Sequence, residues 1–315
     1  MDFLALGPLR AVRSGVNVVP RAAKPRTLLA LLGAYSGHIV PIEVIVSELW
    51  ENDPPRTATT TLHTYVMQLR RLIARASADA CGSTGPDDSK QVLRLEQTGY
   101  LLDRDGGSLD VEDYDRLAAD GFAALTEGDF ATARARFVEA EGLWRGEAFA
   151  DVRTGPRLSA ESTRLQESRR LVRERRIEAD LQLGRHHEVL GELAGLTADQ
   201  PANEKLRRHY VIALYRCGYR IRALSECDQL RRRLGDEFGL DLSPSMSALR
   251  QAILIDDAAL ERNISYEEAL RAQNAWSRYS HRRTELPTTA SYVPPAPRAP
   301  ESPDLSRNIL GDCRR

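Results

Sequence analysis

Apolar residues come in short runs at the start of the chain: Phe3-Leu4-Ala5-Leu6, then Leu9 to Val12, then Val16 to Val19, split by Gly7-Pro8 and Ser14-Gly15. Runs of this length between turn residues predict a small antiparallel meander. From Pro25 the period lengthens. Leu28, Leu29, Leu31, Leu32 and Tyr35 form a wide apolar stripe closed by Gly37, which predicts a first helix. A second is predicted from Pro41 to Trp50, with the proline in its first turn and Asp53-Pro54-Pro55 stopping it. A third runs from Thr57 to about Ala76, its inner stripe being Leu62, Val66, Leu69 and Ile73, widened by Tyr65 and Leu72. After a Gly/Ser/Asp stretch to Ser89, two β runs, Val92 to Leu95 and Tyr100 to Leu102, flank Gln97-Thr98-Gly99 and predict a hairpin. Sheet, three helices and hairpin in this order spell a winged helix-turn-helix, in which the third helix enters a DNA major groove beside the hairpin.

From Leu109 to about Ser280 the pattern is helical and repeats internally. Gly128-Asp129-Phe130, Ala133, Phe137 and Ala140 have the small and aromatic spacing of a tetratricopeptide second helix, and Gly121 occupies the close-packing place on the first. The frame returns at Gly184, Val189, Leu193, Leu196 and Pro201, and again at Gly218-Tyr219, Ala223, Cys227 and Leu230. Between the first two copies lies an insert, Trp144 to Glu161. Ser243-Pro244 opens a last helix as N-cap and first helical residue. The expected organisation is a winged-helix domain over 1–105, a helical-repeat domain over 106–260, an extra helix within 261–283 carrying Ala269, Ala272, Trp276 and Tyr279, and a disordered Pro-rich tail over 284–315. The fold class expected is therefore mainly α.

Charge changes this picture only locally. The 315 residues hold 44 Lys+Arg and 45 Asp+Glu, a net charge of −1, which excludes a polybasic protein that coats nucleic acid by net charge. Lys occurs only at 24, 90 and 205, so Arg supplies 41 of the cations, a planar donor suited to phosphate and guanine. The longest apolar runs fall short of the roughly 20 residues of a membrane span, and the N-terminus lacks the basic start of a secretory signal, so a cytoplasmic, nucleoid-associated protein is expected. Cys81, Cys217, Cys227 and Cys313 are too far apart for a zinc set and read as reduced thiols. His186-His187-Glu188 places two adjacent imidazoles about 100° apart on a helix, unlike an i, i+4 metal pair. Gly82 to Lys90 lacks phosphate-loop spacing. No metal, cofactor or enzymatic activity is expected. The Glu/Arg alternation from Glu161 to Arg176 reads as a salt-bridged, solvated helix.

The chain is acid-free from Pro54 to Ala78. With the Leu62/Val66/Leu69/Ile73 stripe turned inward, the third helix turns Thr60, His63, Thr64, Met67 and Arg71 outward, with Gln68 on the flank. Hydroxyl, amide and guanidinium groups of this kind hydrogen-bond base edges, and Thr or Met methyls meet the thymine methyl. These six are the base-reading candidates. Lys24, Arg26, Arg56, Arg70, Arg75, Arg94 and Tyr100 are the phosphate candidates. A polar face on an ordinary amphipathic helix, a DNA-binding repressor and a protein-interaction scaffold fit the same residues. The flanking sheet and hairpin favour DNA.

Several motifs together resemble one family. They are Leu6-Gly7-Pro8-Leu9, Lys24 through Leu32, Glu48-Leu49-Trp50 with Pro54-Pro55, Leu62 to Leu72, Gly99-Tyr100-Leu101-Leu102, and Glu237-Phe238-Gly239-Leu240 before Ser243-Pro244-Ser245. In this order they resemble the Streptomyces antibiotic regulatory proteins: an OmpR-type winged helix over residues 1 to about 104 and a bacterial transcriptional activation domain over 109 to about 255. The resemblance implies a transcriptional activator of a secondary-metabolite (antibiotic) gene cluster, in the short form without a receiver domain. It would bind direct repeats of double-stranded promoter DNA near the −35 region as a homodimer and recruit RNA polymerase through the principal sigma factor and the α subunit. By the same resemblance Glu51, Asn52, Asp53 and Arg56 would form a polymerase-facing loop. The stretch from Ser77 to Ser89 is longer than the family's usual approach to the wing, and the tail beyond about 265 has no counterpart.

Overall fold

A computed structural model describes residues 1–81, 88–257 and 260. The expected extra helix and Pro-rich tail lie outside them. The N-terminal meander is β1 (Asp2–Leu4), β2 (Arg10–Arg13) and β3 (Val16–Asn17), antiparallel throughout, with Phe3 opposite Ala11 and Arg13 opposite Val16. Helix α1 (Ala23–Ala34) buries Leu28, Leu29, Leu31 and Leu32 completely, as its stripe requires. A three-residue strand absent from the expectation, β4 (Ile39–Pro41), precedes α2 (Ile42–Trp50), so Pro41 caps the helix rather than sitting in its first turn. Three residues carry no readable period. The strand exists because it pairs with a distant one, Val40 lying opposite Tyr100.

Helix α3 (Ala58–Cys81) runs about one turn beyond its expected end, because Ala74 to Ala80 is rich in strong helix formers. A short α4 (Asp88–Val92) then leads into β5 (Leu93–Leu95), which with β6 (Gly99–Leu102) makes the hairpin. The second sheet has the order β4-β6-β5.

The remaining helices are α5 (Asp110–Glu127), α6 (Phe130–Gly142), α7 (Pro156–Gln182), α8 (His186–Asp199), α9 (Glu204–Arg216), α10 (Arg220–Phe238) and α11 (Pro244–Ile255). The repeat read in the sequence is visible as geometry. Gly128, Gly184 and Gly218, which precede α6, α8 and α10, all hold φ near +80°, where a Cβ is strained. Ala133, Phe137, Val189, Leu193, Ala223, Cys227 and Leu230 then face inward. Gly121 lies against the Phe137 ring, where an added Cβ would come within 2.6 Å of ring carbon. Ser243 caps α11 by accepting from the Met246 amide.

Two departures concern energetics. The Glu/Arg stretch is a solvated, salt-bridged helix only in part: Glu167 and Arg170 pair at the surface, but the end of the stretch turns inward. Asp180 on α7 is 2% exposed and holds Arg134 of α6 (2.6 Å) and Arg176 (2.9 Å), while Arg176 also reaches Glu141 of α6 (2.6 Å) and Glu192 of α8. Arg175 and Glu178 pair within the same interior. These charges bind α6, α7 and α8 together as a shared network, in which removing one member leaves its partners buried with fewer compensating charges. Second, the apolar core does not divide at residue 105. One cluster runs from Met1 through Phe3, Leu62, Tyr114 and Phe137 to Ala179; the other begins at Ile177 and fills α8 to α11. The winged helix shares its core with α5, α6 and the first part of α7.

Candidate nucleic-acid interface

The third helix divides cleanly. Leu62, Val66, Leu69 and Ile73 are at most 1% exposed, and Thr60, His63, Thr64, Met67, Gln68, Arg71 and Arg75 are all exposed on the opposite side. This follows from four inward contacts repeating at helical spacing, which leaves the intervening positions no core to enter. Arg56, Arg71 and Arg75 make no ion pair or side-chain hydrogen bond among the described residues. Thr64 returns its hydroxyl to the Thr60 carbonyl at 3.1 Å, leaving its methyl and oxygen on the surface.

The hairpin is fastened to α3 by two of the expected phosphate contacts, Arg70 and Tyr100. Arg70 donates from Nε (3.0 Å) and Nη2 (2.8 Å) to the Leu93 carbonyl, so its guanidinium holds the hairpin and is not a free phosphate contact. Tyr100 is 1% exposed and its hydroxyl lies 2.7 Å from Nδ1 of His63, so it too is unavailable to phosphate. Burial pushes the Tyr100 phenol up, against a smaller opposing pull from Arg70. Arg94 stays at the surface near Asp103 (3.5 Å) and Glu96 (3.9 Å), exposed pairs of little strength.

Lys24 and Arg26 also leave the phosphate set. Arg26 donates from Nη1 to the Asp151 carbonyl (3.0 Å) and carboxylate (3.1 Å), and from Nε to Pro20. Lys24 places its ammonium 4.6 Å from the centre of the Trp50 ring, in a cleft of about 330 Å³ shared with Thr27, Arg153 and Thr154. Burial and then the Arg153 charge hold this ammonium below the usual lysine range. Arg26 thus serves the seam between the winged helix and the segment entering α7, and Lys24 lies against Trp50 at the edge of it.

That seam was invisible in the sequence, and three carboxylates make it. Glu48, near the end of α2 and 3% exposed, accepts from the amides of Gly155 (2.7 Å), Arg157 (2.7 Å) and Leu158 (3.2 Å). It caps α7, whose own N-cap residue, Gly155, has no side chain to do so. A Cβ at Gly155 would fall 2.3 Å from the Glu48 carbonyl oxygen. Asp110, at the start of α5, accepts from the amides of Ala5 (2.8 Å) and Leu6 (3.0 Å) and faces Arg145 at 3.4 Å. Burial pushes this carboxyl up, and those amides and the guanidinium pull it back. Asp151 accepts from the Leu9 amide at 2.6 Å as well as from Arg26. In the sequence Glu48 is only an acid on an apolar helix without Lys or Arg, and nothing there points to its distant amide partners.

The loop Glu51 to Thr57 is exposed along its whole length. Glu51 ends α2 at φ 54°, its amide bonded to Ser47, and Trp50 stacks on Tyr65 of α3 at 6.4 Å. The polar members of the loop thus stand beside the exposed face of α3. No helix among the described residues is long and apolar enough to cross a membrane, and none of their His, Cys, Asp or Glu side chains gather as a metal set.

Comparison with known proteins bears on both halves. Residues 17–102 match the family model described as transcriptional regulatory protein, C terminal, and residues 109–254 match the bacterial transcriptional activator domain. The chain is 43% identical over 263 residues to the regulatory protein DnrI of Streptomyces peucetius, covering 84% of this chain and 95% of that one. It is 34% identical over 261 residues to the regulatory protein AfsR of Streptomyces coelicolor, 82% of this chain but 25% of AfsR. Among solved structures, Mycobacterium tuberculosis EmbR in complex with a low affinity phosphopeptide superposes with a TM-score of 0.73 at 28% identity, over 88% of this chain and 69% of that one.

Proposed function

The chain belongs to the Streptomyces antibiotic regulatory protein family of transcriptional activators, and from that membership we propose that it activates a secondary-metabolite gene cluster by binding direct repeats in promoter DNA as a homodimer. Thr60, His63, Thr64, Met67, Gln68 and Arg71 read base edges in the major groove. Arg56, Arg75 and Arg94 take phosphates. Glu51, Asn52, Asp53 and Arg56 face RNA polymerase, at its principal sigma factor and α subunit. Residues 1–105 are the DNA-binding unit and 106–260 the activation unit, working in the cytoplasm on the nucleoid, without cofactor or catalysis.

The observation that carries this reading is the acid-free Thr/His/Gln/Arg face of α3, whose Arg71 and Arg75 have no ion pair or side-chain hydrogen bond among the described residues. The face itself carries no carboxylate to repel a polyanion, and Arg71 and Arg75 on it, with Arg56 just before the helix, need no prior pairs broken. Because the chain as a whole is neutral, selectivity rests on this face rather than on bulk attraction.

A gel-shift titration on cognate promoter DNA at rising salt tests the binding. The expected log–log slope is near −0.9 for each phosphate contacted. Affinity that ignores salt, or that is equal for random DNA, refutes it and favours a protein-interaction scaffold. In vitro transcription from the same promoter tests the sign: a rise in transcript is expected, and a fall marks a repressor.

A further inference from the structure

Resting on that DNA-binding reading, we infer that Tyr100 is a positioning residue for sequence readout: its buried hydroxyl locks the His63 imidazole so that the ring offers a hydrogen-bond donor, Nε2–H, to the DNA. The two residues come from different elements, α3 and the second hairpin strand, and are 37 positions apart. The Tyr100 ring is packed in the core while His63 stands on the exposed face between Thr60, Thr64 and Met67.

The direction of the bond follows from counting donors. A buried phenol needs an acceptor for its proton. Nδ1 of His63, 2.7 Å away, is the one acceptor that the Tyr100 hydroxyl has among the described residues. Were Nδ1 to donate instead, the phenolic proton would be stranded inside the protein. The phenol therefore donates, Nδ1 accepts, and the neutral ring carries its hydrogen on Nε2. The rings meet edge to face, 6.2 Å between centres at 70°, which limits the imidazole to one side of Tyr100. Nε2, opposite Nδ1 across the ring, then points away from the core. A fixed donor there selects an acceptor, guanine O6 or N7, adenine N7 or a phosphate oxygen, and rejects the exocyclic amines of adenine and cytosine.

The same contact gives the hairpin a part in base reading without touching a base. Arg70, about two turns further into α3, anchors Leu93 and so helps to set where β5 and β6 lie. Tyr100 then carries that placement to the ring. A side chain held in one tautomer and one rotamer loses less entropy on meeting DNA than a free one.

The test is a double-mutant cycle in the full chain, using Tyr100→Phe, which keeps the packed ring and removes only the hydroxyl, and His63→Ala. Tyr100→Phe is expected to weaken binding to cognate promoter DNA about three- to tenfold, the worth of one hydrogen bond, to leave random DNA nearly unchanged, and to have no further effect in the His63→Ala background. In the free protein, long-range nitrogen–proton NMR should show His63 protonated at Nε2 in the wild type and as a mixture of tautomers in Tyr100→Phe. Equal losses on cognate and random DNA, a loss that persists without His63, or an unchanged tautomer overturns the inference while leaving DNA binding standing. A wild-type chain with no preference for promoter DNA removes the DNA-binding reading itself, and the readout role with it, whatever the ring does.

Discussion

Replacing Glu48 with Ala should uncouple α7 from the winged helix, and the cost can be worked from the contacts. The carboxylate accepts three backbone amides at 2.7, 2.7 and 3.2 Å in a site where it is 3% exposed. Loss of an N-cap costs about 1 kcal/mol, and an anion in a partly buried site at a helix N-terminus is worth up to about 2 kcal/mol more. Two of the stranded amides are buried, each adding about 1 kcal/mol where water cannot replace the carboxylate. These terms overlap, so about 3–4 kcal/mol is expected for Glu48→Ala. Glu48→Gln keeps one acceptor for the Gly155 and Leu158 amides and turns a donor toward Arg157, for about 1–2 kcal/mol. Urea unfolding followed by far-ultraviolet circular dichroism and tryptophan fluorescence measures both. For a domain of this size the alanine variant should melt roughly 6–16 °C lower. Hydrogen exchange should accelerate first at the Gly155, Arg157 and Leu158 amides. A loss under about 1 kcal/mol, with those amides still protected, would refute the capping argument.

Three further outcomes follow from single residues. His209 is fully buried with Nδ1 unpartnered, and burial, then the charges of Lys205, Arg208 and Arg175, bring its pKa down to about 3; the unfolded chain, at about 6.5, takes up the proton first, so stability should fall by about 2 kcal/mol from this group between pH 7 and pH 5. His209→Gln should flatten that slope in denaturant melts, and an unchanged slope would assign it to other groups. Arg71→Ala should cost about 1–3 kcal/mol on cognate sites and relax one base position, as read by binding to a panel of single-base variants; an equal loss on random DNA would make it a phosphate contact. Gly121→Ala should lose about 1–3 kcal/mol by forcing the Phe137 ring aside, and a thermal melt matching the wild type would show that the ring yields freely.

Periodicity alone determined a large part of this protein. Inward residues four and three apart dictated α1 to α3 and the outward set on α3, because a helix that buries Leu62, Val66, Leu69 and Ile73 has no choice about where Thr64 and Arg71 go. Glycines 34 residues apart, at 184 and 218, announced the helical repeat because each must take up positive φ at an equivalent turn. These are local constraints, and local constraints survive in one dimension.

Tertiary structure decided what no neighbour along the chain could. Strand β4 is too short to carry a period and exists through its pairing with β6. Glu48 meets Gly155 across 107 residues, Arg26 meets Asp151 across 125, and Arg70 meets the Leu93 carbonyl across 23, so a carboxylate with no expected partner and two phosphate candidates are structural. The Tyr100 hydroxyl looked available until the fold buried its ring and gave it His63. The reason is common to all of them. A charged or hydroxyl side chain has the same hydration preference wherever it stands in the sequence, and only the desolvation imposed by the folded chain, together with the partner that the fold delivers, determines whether it is spent inside or left free to meet a ligand.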